Sequence, residues 1–270
     1  MSPAACRGIV PKAMLQAHSI LWHYLWVAPH VLQVALGIFL WHKGLSRKFP
    51  AFFSFALIDG FAQIILYTAD VDPKISPLTY WHLHWGTLIL EGVLKAAVIA
   101  EIFGRVLGSY ETLARLGKNL IQAAGVVLAL AAAVAAAYVP KSDIQGLVLH
   151  VFLLEQAIYL VESGLLASII LLSWYFHLSW GRQIFGIALG FGISSCVHLA
   201  TWALITNAAF PPAKRTLLTF LNMGTYHFCV LVWWYLLAFQ EDENLQPPPT
   251  IPPDDHLSLW NRELERLLQQ

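Results

Sequence analysis

Apolar runs of about 20 residues recur along this chain, and a run of that length suits a helix crossing the hydrocarbon core of a bilayer. Inside a bilayer the backbone finds no water, so each run must close its own hydrogen bonds as a helix. Seven such runs are read: His18 to Trp41, Ala51 to Ala69, Tyr80 to Gly104, Leu120 to Val139, Leu147 to Tyr175, Gln183 to Ile205 and Arg215 to Phe239. The expected fold class is all-α, a polytopic bundle of seven transmembrane helices within residues 18–240. Charged residues make up 12% of the chain, about half the share of a soluble domain, which fits a lipid bilayer as the main partner. The formal net charge is zero, so nucleic acid is not an expected partner.

Segments 1–17 and 241–270 flank the bundle. Arg7 and Lys12 precede the first run, which is too long for a signal-peptide core and lacks a small-residue cleavage site. It is read as a retained helix. Residues 241–253 form an acidic, proline-rich linker, and residues 254–270 read as an amphipathic helix with Trp260, Leu264, Leu267 and Leu268 on its apolar side. That tail is a candidate docking segment for a cytoplasmic protein. Lys43, Arg47, Lys48, Arg105, Arg115, Lys118 and Arg182 fall in one set of loops, against Lys74, Lys141, Lys214 and Arg215 in the other. Positive charge favours the cytoplasmic side, so the N-terminus is expected outside and the C-terminus in the cytoplasm.

The third run carries Tyr80, His84, Thr87, Glu91 and Lys95, which share one narrow helical stripe at about 100° per residue. Ionisable groups at membrane depth are costly and turn toward protein or water. This helix is therefore expected to be central. Glu91 and Lys95 have the i, i+4 order that favours an intrahelical ion pair, which either neutralises itself for insertion or offers one member to a ligand or proton path. Glu155, Tyr159 and Glu162 share a face of the fifth run with no basic neighbour on their own helix, so one glutamate is a candidate partner for Lys95. The expected ligand or proton cavity takes Asp59, Gln63, His84, Glu91, Lys95, Glu155, Tyr159, Glu162, His198, Asn222 and His227. These residues come from the second, third, fifth, sixth and seventh runs; the first is expected to line the cavity as well, and the fourth, alanine-rich and without an ionisable residue, is not.

Histidines raise a second reading. His23, His84 and His198 could converge on a metal ion, or two facing histidines could hold a haem. Both would give a membrane redox protein or enzyme. The bland alternative is that they hydrogen-bond between helices. No HExxH motif and no pair of ExxH motifs occurs. A retinal pigment needs a lysine inside its last span, and the seventh run has none after Arg215, so retinal is not expected. Ser194 and His198 are spaced i, i+4, yet a serine here more readily bonds its own helix than serves as a nucleophile. Cys6, Cys196 and Cys229 form no metal or disulfide pattern. A third reading is a proton-coupled transporter using Glu91, Lys95, Glu155 and Glu162. The odd span count and the absence of a visible repeat weigh against it.

Trp41 to Phe53 (WHKGLSRKFPAFF), then Glu101-Ile102-Phe103 and Tyr110-Glu111-Thr112-Leu113, resemble a family of bacterial seven-helix integral membrane proteins. The resemblance implies a bacterial inner-membrane location and carries over no activity and no functional residue. The leading expectation is a non-enzymatic bundle that binds a small ligand and passes its state to a cytoplasmic partner.

Overall fold

The computed structural model describes residues 19–108, 110–138, 144–178, 180–205, 212–238, 261–262 and 265–267. Eight helices follow one another: α1 (Ile20–His42), α2 (Leu45–Lys48), α3 (Pro50–Val71), α4 (Pro77–Leu107), α5 (Glu111–Tyr138), α6 (Ile144–Tyr175), α7 (Arg182–Ile205) and α8 (Pro212–Ala238). No strand occurs among the described residues. Six of the helices, α1, α3, α5, α6, α7 and α8, are long and apolar enough to cross a membrane. The chain has the build of a multi-pass membrane protein. The remaining long helix, α4, has 31 residues and carries Glu91, Lys95, Glu101 and Arg105.

Local chemistry sets the helix ends. Ser19 caps α1, its Oγ accepting from the Trp22 N–H at 3.2 Å. Gly44 turns the chain with a φ of +70°, a left-handed conformation that glycine adopts at no steric cost. Pro50 opens α3, and the Glu101 carboxylate of α4 accepts from the Phe52 N–H at 3.1 Å, satisfying an otherwise orphaned donor. Ser76 and Pro77 start α4 in the same way, with the Ser76 Oγ accepting from the Thr79 N–H. Helix α5 begins nine residues before the expected Leu120, because Glu111 to Asn119 continue the helix on the polar side of the apolar run.

Packing neighbours define a ring in the order α1, α3, α4, α6, α7, α8 and back to α1. Helix α5 lies outside that ring, against α4 and α6. The expectation of α4 at the centre is thus corrected. It is a ring member with the most neighbours (α3, α5, α6 and α7), and its polar stripe points at the ring interior. Around the perimeter Ile38, Phe61, Ile65, Val93, Leu160 and Phe228 are exposed, an apolar belt that suits lipid.

The ring interior is divided along its length. At the end holding the α1 C-terminus and the α3 N-terminus, apolar side chains fill it. Phe52, Phe55, Phe191 and Trp233 interlock there with ring centroids 5.0–6.3 Å apart, and none is more than 1% exposed. The opposite half is polar.

The N-terminal segment with Cys6, most of the linker and tail including Trp260, Leu264 and Leu268, the loop at Lys141 and the His150 side chain lie outside the described residues. The five described tail residues are helical, and Glu265 pairs with Arg115 of α5 at 3.9 Å.

Candidate functional site

The polar half of the ring encloses a cavity of about 230 Å³. All six ring helices line it, and α5 does not. Eight of the eleven residues picked out from the sequence face this space: Asp59 and Gln63 from α3, His84 and Glu91 from α4, Glu155 and Tyr159 from α6, His198 from α7 and Asn222 from α8. Lys95 and Glu162 lie one turn beyond, between the cavity and a void of about 20 Å³ at the α4–α5–α6 junction. That void has room for one water molecule. His227 points elsewhere, toward Tyr24 of α1 with the rings 5.7 Å apart.

Two carboxylates, one from α4 and one from α6, meet a single lysine. The Lys95 Nζ is 2.8 Å from Glu91 Oε1 on its own helix and 3.3 Å from Glu162 Oε2 on α6. It also sits 4.1 Å above the Tyr159 ring, a cation–π contact. Lys95 and Glu162 are 4% and 2% exposed, so this is a desolvated triad rather than a surface ion pair. Lys95 is the cation beside Glu162 among the described residues.

The second cluster is built on α6 and α7. The Tyr159 and His198 rings stack with centroids 3.8 Å apart. The His198 Nε2 lies 3.0 Å from Glu155 Oε1 and 2.7 Å from the Trp202 Nε1, whose N–H donates to it. One imidazole nitrogen cannot accept from Trp202 and donate to Glu155 at once. The two contacts therefore compete, and the proton on His198 decides between them.

The third cluster fixes Asp59. Tyr226 O–H donates to the Gln33 Oε1 at 2.5 Å, and the His30 Nδ1 is 3.3 Å from the same oxygen. With its carbonyl engaged, the Gln33 amide turns its N–H₂ toward Asp59 Oδ2 at 3.1 Å and the Phe55 carbonyl at 3.4 Å. Asp59 is 4% exposed and has no cationic side chain within ion-pair distance among the described residues.

Gln33 is the functional candidate the sequence reading missed. It is 0% exposed and ties α1 to α3 and α8. The available signal was that no other residue from Val31 to Trp41 is strongly polar.

The metal triad is corrected. No group of three His, Cys, Asp or Glu among the described residues could hold a metal ion. The His23 Nδ1 bonds the Tyr67 hydroxyl at 3.0 Å, and His84 stacks on Trp81 at 5.4 Å, while His198 is taken by α6. Cys196 is exposed and Cys229 buried, both as free thiols.

Comparison with protein-family models, with curated proteins and with solved structures finds no match for this chain.

Proposed function

We propose that this chain is a seven-helix integral membrane protein that binds a small molecule in its polar cavity and acts as a binder or sensor. The N-terminus lies outside and the C-terminus in the cytoplasm, in a bacterial inner membrane. One observation carries the reading: the cavity occupies only one half of the ring, and the other half is closed by Phe52, Phe55, Phe191 and Trp233. A largely pre-formed cavity with apolar wall residues and a few converging polar groups is the usual form of a ligand site. A conduction path would need polar lining through both halves. The cavity lies at the end expected to face outward. Its walls join six helices, so an occupant would alter packing across the whole ring. The Arg115–Glu265 pair places the tail within reach of the α5 start, which gives a bound state a route to the cytoplasmic surface.

The test fills the cavity. Ser194 lines it, and Ser194→Phe inserts a ring while every ion-paired side chain is kept. Mass spectrometry of small molecules extracted from detergent-purified protein should find a compound retained by the wild type and depleted in Ser194→Phe. Equal small-molecule content in two equally folded preparations would count against a binding cavity.

A further inference from the structure

We propose that the occupant of the cavity is a small organic cation, an ammonium whose N–H groups are received by Asp59 and its neighbours. This rests on the cavity being a ligand site and adds the chemical class of the ligand. Charge comes first. Asp59, Glu91, Glu155 and Glu162 stand around or beside the cavity, and Lys95 is the one lysine among them. Lys95 is already shared between Glu91 and Glu162. A charge on His198 would balance Glu155, 3.0 Å away, and nothing more. Asp59 is left with amide hydrogen bonding alone, in a site that is 96% buried by its 4% exposure. An isolated carboxylate in such a place calls for a proton or a cation.

Hydrogen-bond polarity points the same way. Gln33 is oriented so that its N–H₂ donates to Asp59, which makes the Oδ2 an acceptor. When His30 donates through Nδ1 to the Gln33 carbonyl, its Nε2 is left as an acceptor on the cavity side. The His84 Nδ1 is buried and has no partner among the described residues. The floor of the cavity is thus rich in acceptors, and an ammonium brings three donors and one positive charge. Size excludes large amines: about 230 Å³ equals the liquid volume of roughly eight waters. The rest of the wall, with Leu25, Trp26, Leu66, Leu88 and Met223, suits a short apolar or aromatic body.

Three probes of matched shape separate charge from fit: 2-phenylethylammonium, neutral 2-phenylethanol and anionic 3-phenylpropanoate. Each is titrated against the detergent-purified full chain while thermal unfolding is followed. The ammonium should raise the unfolding temperature, and the other two should not. Asp59→Asn keeps the shape of the side chain and should weaken the ammonium by roughly tenfold or more. Asp59→Ser serves as the second variant, with the same loss expected, should Asp59→Asn fold poorly. Nanodiscs with and without phosphatidylethanolamine distinguish a lipid ammonium headgroup from a free amine, since the lipid source would stabilise without any added probe. If the alcohol or the carboxylate stabilises equally and Ser194→Phe abolishes the effect, the cavity binds ligands and the cation proposal is wrong. If no probe stabilises the wild type beyond Ser194→Phe, the cavity reading falls and the cation proposal with it.

Discussion

Lys95 is the residue whose loss should be felt most. It faces Glu91 and Glu162, which are 14% and 2% exposed, so Glu162 above all is cut off from water if the lysine is lost. Removing one partner of a buried pair typically costs about 3–5 kcal/mol, because the remaining charge is left uncompensated. Lys95→Met should therefore lower stability by about that amount in reversible unfolding of the detergent-solubilised protein. Replacing all three charges together, Glu91→Gln, Lys95→Met and Glu162→Gln, should bring stability back to within about 1–2 kcal/mol of the wild type, since an apolar or neutral set needs no desolvation. A triple variant as unstable as Lys95→Met would mean the triad is held by packing rather than charge. The sequence disclosed the Glu91–Lys95 pair because i, i+4 spacing is local. It left the Glu162 partner and the Asp59–Gln33–Tyr226 cluster open, because those depend on which helices become neighbours, and periodicity carries no such information. The polar stripes pointed inward for a reason visible in the sequence, the cost of polar groups in lipid. Glu155 lines the cavity and Lys95 lies one turn beyond it, a register of α4 against α6 that neither helix's own periodicity encodes.

Helix contacts here depend on glycine, and the positions differ sharply. A Cβ on Gly190 of α7 would lie 2.2 Å from the Trp233 Nε1 of α8, and one on Gly186 would lie 2.7 Å from the Leu236 side chain. Gly37 of α1 and Gly60 of α3 meet Leu57 and Val34 across the α1–α3 contact in the same way. Small residues at such crossings let backbones approach where no hydrophobic force acts between helices. Trp233 cannot retreat. It is 1% exposed, donates its N–H to the Ile187 carbonyl at 3.3 Å and is packed against Phe52 and Phe191. Gly190→Ala should thus destabilise by about 1–3 kcal/mol, the usual range for overpacking. Gly164 of α6 is exposed with nothing within 4 Å of an added Cβ, so Gly164→Ala should be neutral or gain up to about 1 kcal/mol of helix propensity. Thermal unfolding of the two variants side by side checks the pair; equal effects would place α7 and α8 farther apart than described. Element boundaries show the same division between local and non-local information. The starts of α3 and α4 are set locally, by Pro50 and by Ser76 with Pro77. The early start of α5 was hidden because a hydropathy run does not register a helix that continues through Arg115 and Lys118 into the polar end.

At the scale of the whole molecule, the number of crossings follows from how α4 is tied in. Six helices qualify as spans by apolarity, and α4 is not among them. Yet α4 packs between α3 and α6, and its 31 residues extend about 46 Å at 1.5 Å per residue, more than the ~30 Å of a hydrocarbon core. Its two connections are short, residues 72–76 before it and 108–110 after it. On this ground we propose that α4 crosses as the seventh span, with its ends on opposite faces. Part of its lower apolarity has a local cause: Tyr80, His84 and Glu91 line the cavity, and Lys95 pairs with Glu91 and Glu162. Single cysteines test the count, introduced after the three native cysteines are replaced by alanine. His42→Cys, Pro73→Cys and Glu111→Cys mark the α1–α3, α3–α4 and α4–α5 connections, and the first two are exposed positions, as is Glu111. With a membrane-impermeant maleimide on intact cells, Pro73→Cys should label at once, and His42→Cys and Glu111→Cys only after permeabilisation. That pattern gives seven crossings with the N-terminus outside. If positions 73 and 111 label from the same side, α4 does not cross and the chain has six spans. If all three respond with the sides exchanged, the crossings stand and the cavity opens toward the cytoplasm, which would move the ligand's source from outside the cell to within it.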